Sequence, residues 1–263
     1  ALTTGSYNTA VGGQTLEAIT TQSYNTAIGF QALEENTADD NTAVGYLALT
    51  ANTTGANNTA VGKESLEANT TGAQGVAVGR KALESNTTGD NNTAVGHYAL
   101  GANTTGGNNV AIGRDALGSN TTADYNTAVG YFSLAANTTG TGLAAFGQGA
   151  LQASTGSNNT ALGNNTLQAN TTGASNTAVG KSALIANTTG SSNVAVGYGA
   201  LDANTTAGDN TAIGINALSD NTTGGNNTAI GSNALGDHTT TNDNTAVGYF
   251  AMRYNTTGAQ NTA

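Results

Sequence analysis

The chain repeats itself, and the period is short. The segment Asn41-Thr42-Ala43-Val44-Gly45 returns in recognisable form beginning at Asn8, Asn25, Asn41, Asn58, Gly75, Asn92, Asn109, Asn126, Leu143, Asn159, Asn176, Asn193, Asn210, Asn227, Asn244 and Asn261. The step is 17 residues almost everywhere and 16 twice, from Asn25 to Asn41 and from Leu143 to Asn159. That is well below the period of about 33 to 45 residues of helical-pair repeats. It points to the coils of a solenoid, in which each unit packs on its neighbours alone. We expect residues 1–263 to form a single uninterrupted array of about fifteen coils, an all-β parallel β-solenoid, cut from a longer chain because it starts and stops within units.

One unit, Asn58 to Gln74, serves for all. It opens with an extended core that alternates as a short strand should, closed by Gly62, which releases the backbone for a corner. The fourth core position is Val or Ile in most units, and Val44, Val61, Val78, Val95 and Ile112 are expected to point into the coil. The middle position is Ala in every complete unit, while residues after the glycine vary freely. Ala43, Ala60, Ala77, Ala94, Ala111 and Ala128 are therefore expected to form the opposite face, closely packed against another chain.

The second segment pairs a small residue with a leucine. Leu49, Leu66, Leu83, Leu100 and Leu117 are expected as the other large core residues. Runs such as Lys63-Glu64-Ser65-Leu66-Glu67-Ala68 favour helix. A full helix in every coil conflicts with geometry, since strands stack about 4.8 Å apart and helices about 8 to 10 Å. A plain turn, a single helical or 3₁₀ turn, or a short second strand satisfies both. The third segment, Asn-Thr-Thr-Gly, supplies a turn. Its Asn recurs once per coil, so Asn52, Asn69, Asn86, Asn103, Asn120 and Asn137 are expected to stack as an amide ladder, interrupted at Ile19, Ser154 and His238. The two short units lose their residue here, around Ala38 and Gly156.

Composition narrows the function. The absence of Pro suits a coil whose every N–H is committed to its neighbours. A net charge of −10 with six Lys plus Arg argues against a phosphate backbone as partner. No run approaches the roughly 18 apolar residues of a membrane span, so direct membrane insertion is not expected. The absence of Cys leaves an extracellular location open. No convergent set of unlike residues suggests a catalytic site, and no cofactor or metal is expected. His97 and His238 are far apart and read as solvent-exposed. Glu34-Glu35 with Asp39-Asp40 is the densest acidic stretch and reads as a solvated loop rather than a calcium site. Phe30, Tyr46, Tyr98, Tyr131, Phe132, Tyr198, Tyr249 and Phe250 follow the corner glycine and cover the coil edge, or offer a contact stripe. Asn-Thr-Thr and Asn57-Asn58-Thr59 match N-glycosylation acceptors, most of them hidden if the Asn ladder points inward.

The cores Asn109-Val110-Ala111-Ile112-Gly113, Gly75-Val76-Ala77-Val78-Gly79 and Asn193-Val194-Ala195-Val196-Gly197 resemble the YadA-like head repeat of trimeric autotransporter adhesins, and similar repeats of phage tail-fibre-like proteins. The resemblance implies a parallel β-roll that assembles as a homotrimer and serves surface attachment. Departures are the unit length, nearer 14 residues in that family, the Thr at the second position, and the added leucine and Asn-Thr-Thr-Gly segments. Together these readings give an extracellular structural or adhesive fibre segment. Its expected partner is itself, as a trimer or filament, with a host-surface protein or glycan as further partners. A solenoid that binds ice through stacked Thr files, and a self-assembling filament subunit, are the alternatives.

Overall fold

The computed structural model describes residues 3–263. It divides into two compact units, Ala1–Val129 and Gly130–Ala263. In the first, eight three-residue strands follow one another: β1 (Thr9–Val11), β2 (Thr26–Ile28), β3 (Thr42–Val44), β4 (Thr59–Val61), β5 (Val76–Val78), β6 (Thr93–Val95), β7 (Val110–Ile112) and β8 (Thr127–Val129). The second carries β9 (Ala144–Phe146), β10 (Thr160–Leu162), β11 (Thr177–Val179), β12 (Val194–Val196), β13 (Thr211–Ile213), β14 (Thr228–Ile230) and β15 (Thr245–Val247). Within each unit every strand pairs in parallel with the next in sequence, so Ala60 lies opposite Ala77 and Val61 opposite Val78. One strand per coil, stacked in register, makes a parallel β-solenoid. The described residues contain no helix, and so none long and apolar enough to cross a membrane.

The helix-favouring leucine segment is a chain of turns because its amides are taken by neighbouring coils. Glu64 N–H donates to Tyr46 O at 2.8 Å, and the amides of Leu66 and Ala68 donate to Ala82 O and Glu84 O at 3.0 Å. An α-helix would need those donors for its own i−4 carbonyls. Instead Ser65 N–H closes a turn on Gly62 O at 3.4 Å, with Glu64 at φ 59°, the positive i+2 angle of a type II turn. Leu66 itself sits at φ 49°, a left-handed value that recurs at the leucine of coil after coil. Such backbone is costly for a branched side chain, and here it turns the leucine inward.

The strand faces are the reverse of the sequence expectation. Ala43, Ala60, Ala77, Ala94, Ala111 and Ala128 are 0 % exposed and lie inside the coil, so they form no interchain face. Val61, Val78, Val95 and Ile112 are 36–41 % exposed and Val44 is half-buried, so these five are not core. Side chains alternate along a strand, and the Asn that opens each core fixes the parity. Asn58 points inward to donate to Gly72 O, which puts Ala60 inside with it and Thr59 and Val61 outside. The interior is narrow: one coil fills it with Asn58, Ala60, Ser65, Leu66 and Asn69, each 1 % exposed or less. Leu49, Leu66, Leu83, Leu100 and Leu117 are buried as expected and are the only large apolar side chains of their coils that are.

The corner glycine shows why no other residue occurs there. Gly79 has φ +134°, and a Cβ on it would stand 2.6 Å from Gly96 O of the next coil. Strained φ alone costs on the order of 1–3 kcal/mol, and the carbonyl is backbone, which accepts the Ala99 N–H that closes its turn. Gly79→Ala is therefore expected to lower the urea midpoint by the equivalent of at least about 2 kcal/mol; an unchanged midpoint would contradict this account.

Candidate functional site

Three arrangements carry the polar chemistry: an interior amide ladder, an outward strand face, and a carboxylate cluster. The ladder is as expected from the sequence and is double. Asn69 Nδ2 donates to Asn52 Oδ1, Asn86 Nδ2 to Asn69 Oδ1 and Asn103 Nδ2 to Asn86 Oδ1, each at 2.8 Å, and Asn120 Nδ2 donates to Asn103 Oδ1 at 2.9 Å. Asn52 in turn donates to Asn36 Oδ1, and Asn137 exchanges bonds with Gly140. The second proton of each amide goes to its own turn, as in Asn69 Nδ2 to Gly72 O at 2.9 Å.

The second ladder starts from the Asn that opens each strand core. Asn58 Nδ2 donates to the same Gly72 O at 2.9 Å, while Asn58 Oδ1 accepts the backbone N–H of Gly75 in the next coil at 2.8 Å. The sequence carries its signal, a second Asn at fixed period that opens most strand cores. Thr hydroxyls add a third set: Thr53, Thr70, Thr87 and Thr104 each donate through Oγ1 to the backbone carbonyl one coil on, at 2.9–3.0 Å. Those Thr side chains are committed to the fold rather than to a ligand.

The exceptions behave individually. Ile19 is buried and offers Asn36 no amide oxygen, so the ladder stops there, while Asn36 keeps the bond to its own turn at Ala38 O. Ser154 accepts Asn170 Nδ2 at 3.1 Å and carries the ladder on that side instead of interrupting it. Asn36 and Ser154 reach their turn acceptors, Ala38 O and Gly156 O, two residues on instead of three. The residue missing from each short unit thus falls within this turn.

His238 is not exposed, contrary to the sequence reading; it replaces an Asn inside the ladder and is 0 % exposed. Its Nε2 bonds the Thr241 hydroxyl and lies 3.3 Å from Asn244 Nδ2, and its Nδ1 is buried with no partner. Burial holds its pKa below the ordinary histidine value. His97 is half-buried beside Tyr98, its Nδ1 also enclosed.

Among the described residues the carboxylates that converge are Glu64, Glu67 and Glu84, rather than the Glu34–Asp40 stretch. They meet because Glu67 and Glu84 occupy one position in successive coils. Lys81 Nζ lies among them, 2.5 Å from Glu84 and 3.4 Å from Glu64, and Lys63 is 3.0 Å from Glu64. The Lys63 hydrogen bond holds Glu64 below its usual range, whereas burial, then the charges of Glu64 and Glu84, push Glu67 up. The arrangement is an ion-pair network already holding its cation.

The outward face carries one row of Thr or Val and one of Val, Ile or Leu, one pair per coil, half-buried to exposed along β2–β7 and again along β10–β15. Aromatic side chains lie beside it in files: Phe30 stacks on Tyr46 at 5.9 Å, and Lys63 caps Tyr46 at 5.4 Å. Tyr7 and Tyr24, which precede the core Asn, stack at 5.1 Å. No protein-family model matches the chain, and no curated protein matches it.

Two outcomes follow. Asn69→Ala removes the donor to Asn52 Oδ1 and the acceptor of Asn86 Nδ2, each loss costing about 1–3 kcal/mol in a buried site; chemical denaturation should show this, with exposed Thr54→Ala near neutral. His238 is neutral when buried and binds its proton more readily unfolded. Its contribution is whole above the unfolded pKa of about 6.5 and is lost as pH falls from there towards the lower folded value. Melting temperature should therefore drop as pH falls below about 6.5, and His238→Asn should flatten that drop and raise stability.

Proposed function

We propose that the chain is a structural segment of an extracellular fibre or adhesin, which associates with further copies of itself, as a homotrimer, through the outward Thr and Val/Ile face. The observation that carries this reading is the uncovered apolar row: Ile28, Val61, Val78, Val95 and Ile112 in the first unit, and Leu162, Ile213, Ile230 and Val247 in the second. A contiguous apolar strip on a soluble surface marks an interaction site. Three chains that each turn one such face to a common axis bury it and leave no open end. The resemblance of the strand cores to trimeric adhesin heads supports the same arrangement. The interior polar groups are spent on the coil's own bonds, and the carboxylate cluster found among the described residues is paired with lysines, which supports a scaffold in place of an enzyme.

A second reading has its own observation. Rows of Thr and Val or Ile, set in register by parallel strands about 4.8 Å apart, form a regular surface of hydroxyl and methyl groups that could order water as ice. Light scattering separates the two. The fibre reading expects a mass of three chains, reduced to one by Val78→Lys with Val95→Lys while the far-ultraviolet spectrum is kept. A monomeric wild type with thermal hysteresis would overturn it in favour of ice binding.

A further inference from the structure

The residue before each core Asn sits at a sharp corner with left-handed backbone, φ about 60° in nearly every coil. Asn is among the few non-glycine residues that adopt it readily. At Asn57, Asn91, Asn158 and Asn226 this corner Asn is exposed, and the residue two further on is a strand Thr on the outward face: Thr59, Thr93, Thr160 and Thr228. Asn-x-Thr is the acceptor pattern for N-linked glycosylation, which belongs on surface turns. We propose that the folded chain, before its Thr and Val/Ile face meets further copies, accepts sugar at these four asparagines and at no Asn-x-Thr triplet whose Asn lies in the interior.

The same chain holds its own controls. The Asn-Thr-Thr triplets have the acceptor pattern, but their Asn is a ladder residue; Asn52, Asn69 and Asn103 are 0 % exposed, with both amide protons bonded. A sugar on any of them would break two interior bonds and would have no room. Asn164-Asn165-Thr166 also has the pattern, but Thr166 is buried and donates to Gly180 O at 2.6 Å. Asn108 offers the converse: it is exposed at φ 59°, but Val110 stands where the Thr should be. Exposure and pattern coincide only at the four corners.

The step needs a separate glycosyltransferase and a nucleotide-activated hexose. The Asn amide nitrogen bonds to the anomeric carbon; the anomeric C–O bond breaks, the nucleoside diphosphate leaves with the electron pair, and the amide gives up one proton to a base of the transferase. The corner amide enters neither ladder, so the coil keeps its internal bonds.

The test treats purified folded chain, held monomeric by Val78→Lys with Val95→Lys, with a soluble Asn-glycosyltransferase and nucleotide-activated glucose, with chain unfolded in urea and diluted into the reaction in parallel, and maps hexose by peptide mass spectrometry. The proposal expects the folded chain to carry hexose at Asn57, Asn91, Asn158 and Asn226, and the unfolded chain to carry it also at Asn52 and Asn69. Val110→Thr should add Asn108 as a fifth site on folded protein. Labelling of Asn52 or Asn69 in the folded chain to the level of Asn57 would overturn it, as would corner sites left bare on folded protein but filled on unfolded.

Discussion

Everything in this chain depends on the requirement that an amide taken out of water be fully hydrogen-bonded. In most coils two Asn side chains enter the interior, and each finds its partners in its own turn and in the adjacent coil. Those partners exist only if successive coils stand in register, so the ladders dictate the stacking. A slip of one residue would turn Asn and Ala outward, and Thr and Val inward, leaving the amides' acceptors empty. Leucine fills what space remains. The usual balance is inverted: polar side chains specify the core and one apolar side chain per coil completes it.

The same requirement explains the surface. Because the opening Asn must point in, alternation sends Thr and Val or Ile out, and the chain carries its aliphatic row on the outside of the sheet. The corner glycine follows from close stacking, since the next coil's carbonyl occupies the place of its side chain. Left-handed leucines follow from amides that bond across coils instead of along a helix.

Much of this could be read in the sequence. Period, strand position, glycine corner, buried leucine and the Asn-Thr-Thr ladder all rest on strict recurrence. What escaped depended on parity and on contacts between coils. Val and Ala are both apolar, and hydrophobicity assigned the larger one inward; the Asn two positions before Ala, which shares its face, was the better guide. A lone histidine suggests exposure, whereas the ladder position that His238 occupies argues for the burial it has. Glu64, Glu67 and Glu84 look unremarkable along the chain and meet only once coils are superposed.

The bonds between coils have a mechanical meaning. Backbone amides, Thr hydroxyls and both Asn files all run from one coil to the next, so a tension that peels the terminal coil must break its whole set before the following one is loaded. Each rupture frees about 17 residues, an extension of roughly 60 Å at 3.3–3.6 Å per residue. Under load such a stack yields in discrete, near-identical increments, dissipating work one coil at a time.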